Sequence, residues 1–122
     1  MANAITTDAG ILRIIELLET DIKYIGIGTG TFSGESATLL DNETDRKPVT
    51  ASSVDNVLIL DGYWDETEGN GVTYLESGCF CDGATASIDS GTLFAGSTIS
   101  VIKDSTQSLT ISVEITVEAV NA

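Results

Sequence analysis

The chain has 122 residues, 42% of them hydrophobic, which is the size and composition of one domain that buries a core without disulfide or metal staples. Its 19 acidic residues stand against Arg13, Lys23, Arg46, Lys47 and Lys103 alone, a formal net charge of −14 that repels nucleic-acid phosphates and anionic membranes and so excludes both as expected partners. There is no histidine, so serine, cysteine and zinc hydrolase schemes lose their usual base or ligand, and the chain is not expected to be an enzyme.

In chain order, Met1 to Ile5 lacks the basic start of a secretory signal, and the apolar stretch after it carries Arg13, Glu16 and Glu19. Thr7 or Asp8 caps a predicted helix within residues 1–20, whose apolar positions Ile11, Ile14, Ile15 and Leu18 follow helical spacing. Tyr24 to Thr29 reads as a strand running into Gly26, Gly28, Gly30 and Gly34. Ala37 to Arg46 is polar and acidic and is expected to be irregular or one helical turn. Val49–Val54 and Val57–Tyr63 flank Asp55-Asn56, a pair suited to the positive backbone angles of a tight hairpin. Asp65 to Gly71 is a loop, Val72 to Phe80 a strand, and Asp82-Gly83 opens a loop that Gly91 closes. Thr92–Ile102 and Ser108–Glu118 are the last strands, and the final residues are expected to fray.

The clearest signal lies near the end. Leu109, Ile111, Val113, Ile115 and Val117 alternate with Thr110, Ser112, Glu114 and Thr116. Successive side chains of an extended chain point to opposite faces, so this strand has one covered face and one wet face, as in antiparallel sandwiches. The expected fold is therefore mostly β: one β-rich domain over residues 1–122, an antiparallel β-sandwich of about six strands with one N-terminal α-helix. The longest uncharged run, Ser90–Ile102, falls short of the ~20 residues of a membrane-spanning helix.

Four groups of residues are candidates for special roles. Ile25-Gly26-Ile27-Gly28-Thr29-Gly30 looks like a nucleotide-binding loop, but no helix opens after it and no Gly-Lys-Ser/Thr ending follows. Gly26, Gly28, Gly30 and Gly78 are thus expected to serve backbone geometry: a bulge, a bend or close approach of another segment. Arg46, one of two arginines among many acids, is expected to form an internal clamp with Glu43 and Glu76, between the loop after the glycines and the strand carrying Glu76. Cys79 and Cys81 share a face if the strand is regular; they read as buried reduced thiols, with an intersubunit bridge or reactive pair as the alternative. No resident cofactor is expected. Calcium is the one possible ion, held by Asp41, Glu43 and Asp45 or by Asp65, Glu66, Glu68 and Asn70, although neither loop has EF-hand spacing. An acidic calcium-dependent binding module is the reading that follows from that option.

Taken together, IGIGTG at 25–30, LLDNETDR at 39–46, Glu76-Ser77-Gly78-Cys79-Phe80 with Asp82-Gly83, Gly91-Thr92-Leu93-Phe94-Ala95, and Lys103 before the last strand resemble a phage pattern. It is similar to the N-terminal domain of phage tail-collar fibre proteins and related small virion proteins. That resemblance implies a non-enzymatic structural protein of a tailed-phage virion: a tail, collar or baseplate component or an adaptor, with a capsid decoration protein as the alternative. It further implies contacts with other virion proteins, assembly as a homo-oligomer, and location in the virion after synthesis in the host cytoplasm. Cys79 stands where the pattern has leucine. The fibres continue into a shaft where this sequence reaches Ala122, so attachment rather than receptor binding is the expected part of the family's role.

Overall fold

The computed structural model describes residues 4–119. The expected fraying of the last residues, and the reading of the first few as free of a signal, fall wholly or partly on 120–122 and 1–3, outside the described residues. The elements are helix α1 (Asp8–Asp21) and strands β1 (Tyr24–Gly28), β2 (Glu43–Pro48), β3 (Thr50–Val54), β4 (Val57–Trp64), β5 (Val72–Cys81), β6 (Thr92–Lys103) and β7 (Leu109–Thr116). They form two antiparallel sheets, of order β2-β1-β5-β6 and β3-β4-β7. The protein is mostly β, as the alternation in its last strand requires. No helix among the described residues is long and apolar enough to cross a membrane.

Local chemistry accounts for several of the element ends. The Thr7 hydroxyl accepts from the Gly10 N–H at 3.0 Å and caps α1, and the helix closes with the Ile22 N–H donating to the Leu18 carbonyl at 2.9 Å. Ile15 is buried and Ile11 and Leu18 are half-buried, but Ile14 is exposed, so α1 covers the core with a narrower stripe than its spacing predicts. The β3–β4 hairpin turns at Asp55-Asn56, with Asp55 at φ 53°. Val49 alone separates β2 from β3, and there the chain passes from one sheet to the other.

The main core lies between the sheets. Ile25, Ile27, Cys79 and Tyr74 come from the first sheet and Leu58, Leu60, Trp64 and Ile111 from the second, with Ile15 and Ile22 packed against them. The predicted inward residues of the last strand take part: Leu109, Val113, Ile115 and Val117 pack on this cluster. A second, smaller cluster lies elsewhere. Leu40, Phe80, Ala84 and Leu93 pack together with Tyr24, Phe32 and Ala37. In the first sheet Tyr24 is opposite Phe80, Gly26 opposite Gly78 and Gly28 opposite Glu76, so these residues share the face turned away from the sandwich interior. Residues 29–42 and 82–91 cover that face.

One strand departs from the sequence reading. Residues 43–48, which begin inside the stretch Ala37 to Arg46 expected to be irregular, form β2 at the sheet edge, paired with β1 from Tyr24↔Pro48 to Gly28↔Glu43 with a register shift at Ile27/Gly28. Its buried residues are Glu43 and Arg46, so its periodicity is carried by charge and is invisible to an apolar pattern.

Candidate functional site

The clamp residues and glycines singled out in the sequence meet on the covered outer face of the first sheet, around two adjacent polar clasps, whereas Cys79 and Cys81 face the main core. In the first, Arg46 Nε and one terminal nitrogen donate to the Glu43 carboxylate at 2.7 and 2.6 Å, a two-pronged bond between side chains that are 1% and 0% exposed. The other terminal nitrogen donates to the Thr85 carbonyl (2.9 Å), the Ser90 carbonyl (3.2 Å) and the Ser90 hydroxyl (3.0 Å). The Asp89 N–H completes the Glu43 carboxylate at 2.8 Å. The guanidinium also lies 4.2 Å from the Phe80 ring centroid, an arrangement that favours a cation over an aromatic face. Planar geometry and five fixed donors suit arginine to this place. The clasp ties β2 to the 82–91 loop.

In the second clasp Glu76, fully buried on β5, accepts three backbone N–H groups: Gly30 at 2.9 Å, Asp41 at 2.8 Å and Asn42 at 2.8 Å. Both ends of the 30–42 loop are thereby fastened to one carboxylate. This corrects the expected three-residue clamp. The loop after the glycines is indeed held to the strand of Glu76, but through backbone donors, while Arg46 serves Glu43 and a different loop. The two devices use separate partners, each carboxylate accepting three hydrogen bonds of its own. No buried side-chain nitrogen or oxygen among the described residues lacks a partner.

The glycines make room for these carboxylates. A Cβ on Gly26 would sit 2.3 Å from Glu43 Oε2 and 2.9 Å from the Phe80 ring. One on Gly28 would sit 2.3 Å from the Asn42 carbonyl and 2.8 Å from Glu76 Oε2. Gly30 meets Asp41 and Asn42 in the same way, and Gly78 meets Leu93 and the Ala95 carbonyl. The requirement is close approach, since none of these four has a positive φ. Gly28→Ala is expected to cost about 2 kcal/mol or more, because the nearest obstacle is backbone that cannot swing aside. Urea denaturation checks this; a loss under about 0.5 kcal/mol would show that the loop gives way freely.

Most of the acids proposed for calcium already accept hydrogen bonds or ion pairs from the protein itself. Asp41 accepts from the Thr31 N–H, Asp45 from the Trp64 indole N–H at 2.8 Å, and Glu68 pairs with Lys47. Asp65 accepts from the Thr67 hydroxyl and N–H, which hold its carboxyl below the usual range, the hydroxyl bond acting most. Asp104 is lowered in the same way by Thr106. Among the described residues no three acidic or cysteine side chains converge as a metal-binding group. The melting temperature is accordingly expected to be the same in millimolar calcium as in chelator; a rise with calcium would reveal a bound ion.

Cys79 and Cys81 are both free thiols, the first buried in the main core and the second half-buried against it. Burial pushes the Cys79 thiol up to about 11, and burial followed by the nearby Asp21 and Asp82 charges raises Cys81. Both are kept from the reactive thiolate form near neutrality. At pH 8 a disulfide reagent is expected to modify Cys81 first and Cys79 only on unfolding; two rapid equivalents in the native protein would contradict this.

Other buried groups went unnoticed in the sequence. Lys103 is 1% exposed, its ammonium donating to Asn70 Oδ1 at 2.8 Å and the Asp104 carbonyl at 3.2 Å, which ties the β4–β5 loop to the end of β6. The Tyr74 hydroxyl donates to the Gly69 carbonyl at 2.8 Å in the same region. Lys103 stands out in the sequence only for its place before the last strand, and with Asp104-Ser105-Thr106 directly after it nothing in its neighbours marks it as buried. No protein-family model matches the chain, and no curated protein matches it either.

Proposed function

We propose that the chain is a non-enzymatic structural protein of a tailed-phage virion, a tail, collar or baseplate component or an adaptor, that works through contacts with other virion proteins and with copies of itself. The observation that carries the reading is the convergence of its motif-bearing segments. Residues 25–30, 39–46 and 76–80, which carry the phage resemblance, meet on one sheet face as the two clasps. The chemistry of the motif residues is consumed in holding loops down. Reactive groups that an enzyme would present to a substrate are here satisfied by the protein itself, which supports a scaffold presenting surfaces rather than a cleft. The acidic charge suits a place away from packaged DNA.

Mass spectrometry of virions purified from the phage or prophage that encodes the chain tests this, with tails and capsids separated. Stoichiometric recovery with tails is the expected result. Recovery with capsids instead would assign the decoration role, and absence from both fractions would overturn the reading. Native mass measurement of the purified chain reads the second part: an oligomer is expected, and a monomer at all concentrations would remove self-assembly.

A further inference from the structure

The strongest unassigned feature is the outer edge of β7, which pairs with no other strand among the described residues. It rests on the reading of the protein as one that works by contact with other proteins, and it names the surface. Sheet edges in this molecule are guarded unequally. β2 carries Glu43, Asp45, Arg46, Lys47 and Pro48, residues that discourage further pairing. β6 is interrupted by register shifts opposite Tyr74/Glu76 and Cys79/Phe80. β3 is five residues long. β7 has eight residues in unbroken register with β4, with no proline, glycine or bulge.

The hydrogen bonds beside β7 fix which of its backbone groups are free. The Val117 N–H donates to the Asn56 carbonyl at 2.9 Å and its carbonyl accepts from the Asn56 side chain at 3.0 Å, so Val117 faces β4. Antiparallel pairing alternates strictly along an unbroken strand. Leu109, Ile111, Val113 and Ile115 therefore bond to β4, while Thr110, Ser112, Glu114 and Thr116 turn both N–H and C=O outward.

Beneath that edge is a ledge. β7 lies over β5, and the four-stranded sheet continues one strand further, to β6. The result is a groove of about 280 Å³ walled by Ser112, Val113 and Glu114 and floored by small residues including Ser77, Ala95 and Ser97. Half-buried Ile99 and Val101 continue the ledge along β6. A second copy presenting its own β7 would bring its own β6 ledge into the same space, so a whole sandwich does not fit there. A single extended segment does.

Charge selects the segment. β3, β4 and β7 contain no lysine or arginine, and the wet face beside the groove carries Asp61 and Glu114. We infer that β7 takes up an extended segment of a partner protein as a fourth strand, with alternate apolar side chains on the β6 ledge and lysine or arginine on the opposite side, beside Glu114 and Asp61.

The test uses a synthetic nine-residue peptide alternating lysine and valine, with amide hydrogen exchange read by NMR on the full chain. Saturating peptide is expected to slow exchange at the Ser112 and Glu114 amides tenfold or more. A glutamate–valine peptide, and a lysine–valine peptide with a central proline, are expected to do nothing. Ser112→Pro removes an outward backbone donor and the Ser112 hydroxyl bond to Asp61 on the wet face but leaves the ladder to β4 in place, so the fold is kept and the protection at Glu114 lost; Ser97→Trp fills the groove and does the same should the proline variant fail to fold. Absence of protection in the wild type, equal binding of the acidic peptide, or retained binding in both variants overturns the inference. Protection that grows with protein concentration without peptide also overturns it, by making a second copy the occupant. Failure here with the chain still found in virions would leave the proposed function standing and remove β7 from it.

Discussion

Arg46→Ala is expected to lower the stability by about 3–5 kcal/mol, the usual cost of leaving one charge of a buried pair without its partner. Glu43 would keep only the Asp89 N–H, in a site where its side chain is fully buried. The same change empties a slot beside Phe80 and takes a donor from the Ser90 carbonyl and from the Thr85 carbonyl, which the Ser90 hydroxyl also reaches. Against a typical total of about 5–15 kcal/mol, this removes a large part of the folding free energy. Glu43→Met/Arg46→Met restores apolar volume without a stranded charge and is expected to be less destabilised than Arg46→Ala, short of wild type because the Asp89 N–H loses its acceptor. Urea denaturation of the variants measures both differences, which should persist at high salt, since a pair this dry is little screened. A loss under about 1 kcal/mol for Arg46→Ala would show that water reaches the pair and that the clasp is ornamental to stability.

The second large effect is expected at Glu76. Glu76→Ala orphans the N–H groups of Gly30, Asp41 and Asn42 at once, and each unsatisfied donor costs about 1–3 kcal/mol, less whatever water recovers. A total near 3 kcal/mol follows. Glu76→Gln separates shape from charge. Its carbonyl oxygen can serve Gly30 and Asn42, which share Oε2 in the wild type, but its amide nitrogen then faces the Asp41 N–H, donor against donor. Its loss is expected to lie between wild type and Glu76→Ala. A Gln variant as stable as wild type would mean that geometry alone, without the second acceptor oxygen, holds the loop.

These two clasps also mark where the sequence could and could not be read. The β7 strand was legible because five apolar residues alternate with polar ones and one face is buried. The β3–β4 hairpin was legible because Asp55 tolerates the positive φ its turn requires. β2 was not, since a strand whose inward residues are a glutamate and an arginine looks like a solvated loop until the partner that neutralises them is placed. Glu43, Arg46 and Glu76 were legible as a charged trio because opposite charges advertise each other, but that Arg46 pairs with Glu43 and not with Glu76 was not. The partners of Glu76 were not, because backbone N–H groups carry no residue signature and every loop offers them. Glycines 26 and 28 were recognised as sites of close approach, yet what approaches them, two carboxylates and the Asn42 carbonyl, depends on three-dimensional register. Ile14 shows the opposite error: helical spacing marks a face without showing how much of it is covered.

The physical consequence for function is a rigid outer layer. Loops 30–42 and 82–91 lack strand ladders of their own, but fastening them to Glu76 and to the Glu43–Arg46 pair makes them part of the sheet they cover. A protein that acts by presenting surfaces needs such fixed loops, whereas an enzyme lid needs loose ones.

Amide hydrogen exchange of the unliganded protein tests this most directly, at Gly30, Asp41, Asn42 and Asp89, whose N–H groups are held by the two carboxylates. The account predicts that all four exchange as slowly as the paired amides of β1 and open only when the sheet does. Exchange at the rate of an open loop, with β1 still protected, would contradict it.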